Sequence, residues 1–115
     1  MLADIAVIGA GYVGLTLAVG AAHVGHTVSV GERDQKRVAA LRNRVCPIFE
    51  EGLADLLSEG LVAGKLTFTT SNVEAVETAE LVFLTVPTPS ASNGSADLTV
   101  LNAVVDELAP HLGDK

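Results

Sequence analysis

Along this chain, short apolar runs rich in β-branched residues alternate with stretches in which apolar residues recur at helical spacing. The apolar runs predict β-strands at residues 5–8, 27–32, 66–70 and 80–86. The helical spacing predicts helices at residues 15–24, 34–41, 53–60 and 72–78 and from residue 97 onward. Asp34 and Asp97 are predicted N-caps, and Gly60 is predicted to end the third helix. This alternation predicts an α/β fold: a doubly wound, mostly parallel sheet of about four strands with helices on both faces.

The last predicted strand and the residues after it are distinctive. Residues 80–86, "ELVFLTV", are the clearest candidate for a buried strand, and Pro87 ends it because proline cannot donate to a strand ladder. Residues 87–96, "PTPSASNGSA", fit a functional loop and an ordinary surface connection equally well. The final helix carries an apolar stripe made of Leu98, Leu101, Val104, Val105 and Leu108.

Composition narrows the class of protein. The 115 residues fit one small domain, and 49% hydrophobic against 3% aromatic residues predicts an aliphatic core. No apolar run approaches the ~20 residues of a membrane helix, and the start of the chain lacks a secretory signal pattern. Cys46 is the single cysteine and cannot form an internal disulfide. We therefore expect a cytoplasmic protein with no membrane partner.

The charge balance bears on the ligand. A net charge of −7 argues against nucleic acid as a partner. It leaves open a small phosphate-bearing ligand, because helix N-termini and backbone N–H groups bind phosphate without a basic surface.

Three glycines give the strongest indication of function. Gly9, Gly11 and Gly14 stand in G-x-G-x-x-G spacing, directly after the first strand and at the opening of the first helix. In that setting the first glycine allows a tight turn, the second lets a pyrophosphate approach the backbone, and the third lets the helix pack closely on the strand. The alternative is a tight strand-to-helix turn with no ligand. We favour a Rossmann-type dinucleotide site.

The end of the second strand supplies the acid that such a site requires. Glu32 ends "TVSVGE", 18 residues after Gly14, where a carboxylate can accept hydrogen bonds from the adenosine ribose. The alternative is an ordinary acid at the start of a helix. A carboxylate there repels a 2′-phosphate, which favours NAD over NADP, although the adjacent cation of Arg33 could accommodate that phosphate.

The strand order predicts where the rest of the ligand lies. In a doubly wound sheet the fourth strand lies beside the first, and ligands bind where the strand order reverses. The carboxyl ends of the strands at 5–8 and 80–86 should therefore flank one crevice. "VPTP" lies at its mouth, where Thr88 offers a hydroxyl and Pro87 stiffens the backbone.

Five stretches occur together in a familiar order: "IAVIGAGYVGLTLA", "CPIFEEGL", "LTFTT", "VPTP" and "GSADL". On these, the chain resembles the UDP-glucose/GDP-mannose dehydrogenase family over residues 5–112, and most of all its UDP-glucose 6-dehydrogenase branch. The UDP-N-acetylmannosamine and GDP-mannose branches stay open. The resemblance implies an enzyme of polysaccharide biosynthesis that oxidises the C6 alcohol of a nucleotide sugar to a carboxylate, with two NAD and a thiohemiacetal on a cysteine.

The resemblance also implies roles for individual residues. Glu32 matches the ribose-binding acid, Arg37 a basic position that contacts the adenosine part of NAD, and Thr88 a threonine near the nicotinamide half. The residues that match the pyrophosphate-binding turn are Gly9, Ala10, Gly11, Tyr12, Val13 and Gly14. We add Arg33 and Pro87 from their positions, and we predict no catalytic residue and no metal ligand.

The chain departs from the family pattern at Gly31, where an apolar strand residue is usual, so we expect a looser strand end there. Cys46 stands where serine is common and is interpreted as an apolar filler, since the family nucleophile belongs to a later motif.

We expect residues 1–115 to be an incomplete N-terminal dinucleotide-binding domain, without the central helix and the sugar-binding domain, and inactive alone. Residues 80–86 should then form an unprotected strand edge that causes self-association or poor solubility, and we expect a homo-oligomer. Two rival functions remain. One is a stand-alone NAD-binding module without catalysis, and the other is a Rossmann oxidoreductase of the 3-hydroxyacyl-CoA or 6-phosphogluconate dehydrogenase type.

Overall fold

The computed structural model describes residues 2–113. Within them, strands and helices alternate along the chain. The elements are β1 (Asp4–Ile8), α1 (Tyr12–His23), β2 (Thr27–Gly31), α2 (Gln35–Arg42), α3 (Leu53–Val62), β3 (Leu66–Thr69), α4 (Asn72–Val76), β4 (Leu81–Leu84) and α5 (Thr99–Leu112). In these described residues, no helix combines the length and apolar character that crossing a membrane would take.

The four strands form one parallel sheet in the order β3-β2-β1-β4. The chain thus builds outward from β1 to β3 and then returns to place β4 on the other side of β1. The order reverses at β1, so the carboxyl ends of β1 and β4 lie side by side, with Ile8 opposite Leu84. The predicted α/β fold and the predicted crevice between these strand ends are both confirmed.

Each face of the sheet carries its own apolar core. Ile5 and Val7 of β1 face one way and pack with α1, α2 and α3, whereas Ala6 and Ile8 face the other way and pack with α4 and α5. Successive side chains of a strand point to opposite faces, so a strand covered on both faces must be apolar throughout. Gly14, Ala18 and Ala22 of α1 are all buried.

Several helix boundaries differ from the prediction, among them α4, which ends at Val76 rather than at residue 78, and two of the differences involve glycines. α1 begins at Tyr12 rather than at residue 15, so Gly14 lies inside the helix. α3 does not end at Gly60 but continues to Val62. A Cβ at Gly60 would lie 3.0 Å from the Cβ of Leu66, so this glycine allows close packing against β3 and does not terminate the helix.

The prediction of a buried strand at 80–86 is wrong, and the prediction of an edge there is correct. β4 covers only Leu81–Leu84, and it pairs with β1 on one side. Leu81, Phe83 and Leu84 are 51%, 40% and 38% exposed. A run that is apolar on both faces therefore lies at an open edge of the described sheet.

Of the two predicted N-caps, the one at Asp34 is confirmed and the one at Asp97 is wrong. Asp34 caps α2 as predicted, with Oδ1 accepting from the backbone N–H groups of Lys36 and Arg37. Asp97 is not the N-cap of α5, because the helix begins at Thr99 and Leu98 occupies the cap position. Asp97 still acts near that end, since its Oδ1 accepts from the Thr99 backbone N–H at 2.9 Å.

Candidate cofactor site

The glycine turn after β1 has the conformation that only glycine adopts easily. Gly9 has φ +101°, in the left-handed region. Its N–H donates to the Gly31 carbonyl at 2.8 Å, which continues the pairing between β1 and β2 into the turn. A Cβ at this position would also lie 2.9 Å from the Thr85 carbonyl oxygen. Position 9 therefore excludes any side chain on two grounds.

The other two glycines of the motif have opposite surroundings. A Cβ at Gly14 would collide with the Gly9 carbonyl oxygen and with Thr85 Oγ1, so α1 approaches the end of β1 as closely as a glycine permits. A Cβ at Gly11 would meet nothing within 4 Å. Gly14 is needed for packing inside the protein, whereas Gly11 leaves space on the open side of the turn.

Thr85 joins the two strand ends, and the sequence did not single it out. Its Oγ1 lies 2.9 Å from the carbonyl oxygen of Ile8 and 2.8 Å from that of Gly9, and its single hydroxyl proton is shared between these two acceptors. The hydroxyl thereby fixes the turn at the point where the chain leaves β1. A polar residue within the apolar run "LVFLTV", just before the "VPTP" stretch, was the available sequence signal.

The N-terminus of α1 is free to receive an anion. Gly11 is its N-cap and supplies no side-chain hydrogen bond, and no acidic residue lies in the first turn. The first backbone N–H groups of a helix have no intrahelical partner and carry the positive end of the helix dipole. Open space at Gly11 next to these donors is what a pyrophosphate group requires.

Glu32 is fixed by hydrogen bonds immediately beside this turn. Its Oε1 accepts from the Ala10 N–H at 2.9 Å, and its Oε2 accepts from the Asp34 N–H at 2.9 Å. Each carboxylate oxygen keeps a further lone pair, because an ionised carboxylate has about four acceptor positions in all. The backbone thus orients the carboxylate and leaves it able to accept from ligand hydroxyl groups.

Arg37 completes a clamp on the same peptide group. Its Nε donates to the Ala10 carbonyl at 2.6 Å, while Glu32 accepts from the Ala10 N–H. Ala10 is fully buried, and its two backbone polar groups are held by one side chain from the residue after β2 and one from α2. Hydrogen bonds therefore join Ala10, Glu32 and Arg37, which the sequence assigns to the pyrophosphate, the ribose and the adenosine part of the cofactor.

These elements surround one cleft of about 610 Å³. The residues that line it are Gly9, Gly11, Tyr12, Val13, Glu32, Asp34, Arg37, Thr85, Val86, Pro87 and Thr88. Ala10 and Gly14 were predicted at the site, but both are buried and do not line the cleft. Arg33 also lies outside the cleft, where its Nη2 is 3.6 Å from Glu107 Oε1.

The cleft contains residues that sequence reasoning missed and one perturbed group. Asp34, Thr85 and Val86 line it, although the sequence predicts Asp34 only as a helix cap. The neighbouring Glu50 carboxylate raises the pKa of the Tyr12 phenol, first through a hydrogen bond and then through charge repulsion.

Taken together, the fold and the cleft define a class of protein. A glycine turn that leads into an uncapped helix, an oriented acid at the end of β2, and a cleft at the strand-order reversal are the parts of a Rossmann dinucleotide-binding domain. The open space at Gly11, which a side chain would fill, fits a bound pyrophosphate.

Comparison with known proteins identifies the family. The model of the UDP-glucose/GDP-mannose dehydrogenase family, NAD binding domain, matches residues 3–115. The chain is 47% identical over 108 residues to UDP-glucose 6-dehydrogenase of Pseudomonas aeruginosa, which covers 94% of this chain and 24% of that protein.

Solved structures agree. A ternary complex of GDP-mannose dehydrogenase from P. aeruginosa superposes with a TM-score of 0.91 at 32% identity, covering 97% of this chain and 26% of the other. A UDP-glucose dehydrogenase from Pyrobaculum islandicum gives 0.87 at 39% identity, covering 91% and 24%.

The chain belongs to the UDP-glucose/GDP-mannose dehydrogenase family and contains its NAD-binding domain. NAD is the cofactor of this domain. The chain spans about a quarter of the length of the curated relatives it matches.

Proposed function

We propose that this chain is the NAD-binding portion of a nucleotide-sugar dehydrogenase. The parent enzyme would oxidise the C6 alcohol of UDP-glucose, or of a related UDP- or GDP-sugar, to a carboxylate with two NAD. Support comes from the family and from a relative named UDP-glucose 6-dehydrogenase. The sugar-binding and catalytic residues would belong to parts of the parent that these 115 residues do not include, so the chain alone would not oxidise a sugar.

One observation carries the cofactor assignment: three segments far apart in sequence meet around a single cleft. It is lined by four residues of the glycine turn, by Glu32 after β2, and by Pro87 and Thr88 after β4; the turn residues are Gly9, Gly11, Tyr12 and Val13. The first segment would bind the pyrophosphate, the second the adenosine ribose, and the third the nicotinamide half. These parts lie between residues 9 and 88, so no short segment of the chain could form the site alone.

Each of these segments would act on the cofactor in a distinct way. NAD supplies the hydride acceptor when it is bound. The N–H groups at the start of α1 would hold the pyrophosphate, and the Glu32 carboxylate would accept from the ribose hydroxyls. Because Glu32 is already oriented by two backbone N–H groups, binding would require little reorganisation of that side chain.

The same carboxylate would determine the choice between the two nicotinamide cofactors. A 2′-phosphate carries negative charge to the position that Glu32 occupies, so we propose that NAD binds more tightly than NADP. We also propose that this chain self-associates to a homo-oligomer, since its open β4 edge leaves apolar surface to be covered.

The experiment is a calorimetric titration of the chain with NAD. Glu32→Ala removes charge-assisted hydrogen bonds of ~1.5–3 kcal/mol, so NAD should bind about 10- to 100-fold more weakly. Glu77→Ala is the matched control, because Glu77 is an exposed glutamate at the end of α4, away from the cleft. It should bind NAD as the wild type does.

Two results would contradict the proposal. Failure of the folded wild-type chain to bind NAD would show that these residues do not form a working site. Equal affinities for wild type and Glu32→Ala would remove Glu32 from the ribose site and restrict it to fixing Ala10 and Asp34.

A further inference from the structure

Gly31, the residue that departs from the family pattern, makes room for a buried asparagine. A Cβ at Gly31 would lie 2.5 Å from Asn72 Oδ1 and 3.2 Å from Asn72 Cα. Asn72 begins α4 and is 5% exposed. The expectation of a loose strand end at Gly31 is therefore wrong: the space above this glycine is filled by the Asn72 carboxamide.

The Asn72 side chain has one hydrogen bond, and it leads to α5. Its Nδ2 donates to Glu107 Oε1 at 3.3 Å, while its Oδ1 is buried and has no partner among residues 2–113. A carboxylate can only accept, so the amide nitrogen must be the atom that faces Glu107. A buried amide oxygen without a partner is unfavourable and calls for an explanation.

The same carboxylate oxygen faces an arginine beside the cofactor cleft. Glu107 Oε1 lies 3.6 Å from Arg33 Nη2. Arg33 follows Glu32 directly, and both line a cavity of about 110 Å³. This cavity adjoins the cleft and shares Gly9, Glu32, Val86 and Pro87 with it. Asn72 orients Glu107, and Glu107 in turn draws the Arg33 guanidinium toward α5.

We propose that Glu107, oriented by Asn72, is a positioning residue that holds Arg33 away from the ribose of the cofactor and so strengthens the preference for NAD over NADP. The inference rests on the proposed role of Glu32. A guanidinium binds phosphate through several parallel N–H groups, so a free Arg33 would offset part of the repulsion between Glu32 and a 2′-phosphate. With Arg33 paired to Glu107, that compensation is reduced.

The exposure of the pair sets the size of the effect. The side chains of Arg33 and Glu107 are 58% and 41% exposed, and an ion pair of this kind shifts an equilibrium only modestly. We expect Glu107→Gln to tighten NADP binding about two- to fivefold and to leave NAD binding within about twofold. Low ionic strength is needed, because salt screens exposed pairs.

The experiment measures the dissociation constants of NAD and NADP for a set of variants of the whole chain. Asp106→Asn is the matched control, because Asp106 is an exposed neighbour on α5 and the substitution removes the same charge. It should change neither constant. Adding Arg33→Ala to Glu107→Gln should abolish the gain in NADP affinity, since the gain is made through Arg33.

Three results would overturn the inference: unchanged NADP affinity in Glu107→Gln, equal tightening of both cofactors, or a gain that survives in the double variant. Absence of NAD binding by the wild type would instead count against the proposed function. In that case the pairing is tested without ligand, by nuclear spin relaxation of the Arg33 side-chain N–H. We expect Arg33 to be less mobile in wild type than in Glu107→Gln, and equal mobility would overturn the inference.

Discussion

The same substitution at two glycines of one motif should destabilise the protein to very different extents. In Gly14→Ala the new methyl group collides with the Gly9 carbonyl oxygen and with Thr85 Oγ1. The carbonyl belongs to the backbone of the turn and cannot move aside cheaply. In Gly11→Ala the new methyl group meets nothing within 4 Å.

Three contributions set the magnitude for Gly14→Ala. Overpacking a tight site costs about 1–3 kcal/mol. Displacing the Thr85 hydroxyl leaves the Gly9 carbonyl without that donor, which costs about 1–3 kcal/mol more. Alanine inside a helix recovers only about 1 kcal/mol relative to glycine, so steric conflict outweighs propensity and the net loss is centred near 3 kcal/mol.

Urea unfolding measures the difference. With a slope of about 1–3 kcal/mol/M, Gly14→Ala should lower the midpoint by about 1–3 M. Gly11→Ala changes an N-cap residue from glycine to the less favoured alanine, so its loss should stay below about 1 kcal/mol. A Gly14→Ala midpoint equal to that of wild type would refute the packing argument, and an unfolded Gly11→Ala would refute the open space at Gly11.

Three further predictions concern other elements. Thr85→Val keeps the side-chain shape but removes the donor to the Gly9 carbonyl, so we expect a loss of about 1–3 kcal/mol in urea unfolding, whereas the exposed control Thr78→Val should lose almost nothing. The open β4 edge should cause self-association that Phe83→Lys reduces in sedimentation, and a wild-type monomer at high concentration would contradict this. Hydrogen bonds from the Thr99 hydroxyl and then its backbone N–H lower the pKa of Asp97 below its ordinary 3.8. The stability that these hydrogen bonds provide is present above about pH 4 and is lost as the pH falls through the lowered pKa. If an NMR titration showed the same Asp97 pKa in Thr99→Val as in wild type, the Thr99 hydroxyl would not be the cause of the shift.

Much of the fold could be predicted because the sequence patterns of its strands, turns and helices arise from residues that are close together along the chain. The apolar run at β1 and the glycines after it specify a strand, a turn and a helix within a few residues of one another. Glu32 could be found because its distance from Gly14 along the chain reflects the length of one helix and one strand. The crevice followed from strand order alone.

What could not be predicted depended on neighbours distant in sequence. Gly60 resembles a helix terminator until Leu66 is seen to pack against it. The apolar run at β4 does not reveal whether a further strand covers it. The role of Gly31 depends on Asn72, which lies 41 residues further along the chain, and no periodicity in the sequence links the two.

Chemical-shift mapping of NAD on the isotopically labelled chain tests the cofactor site most directly, because it locates the ligand residue by residue. We expect the largest saturable amide shifts at residues 9–14, at Glu32 and at Thr88, with smaller shifts for the same concentration of NADP. Shifts that are absent, or that concentrate away from the cleft between β1 and β4, would contradict the assignment of these residues to the cofactor.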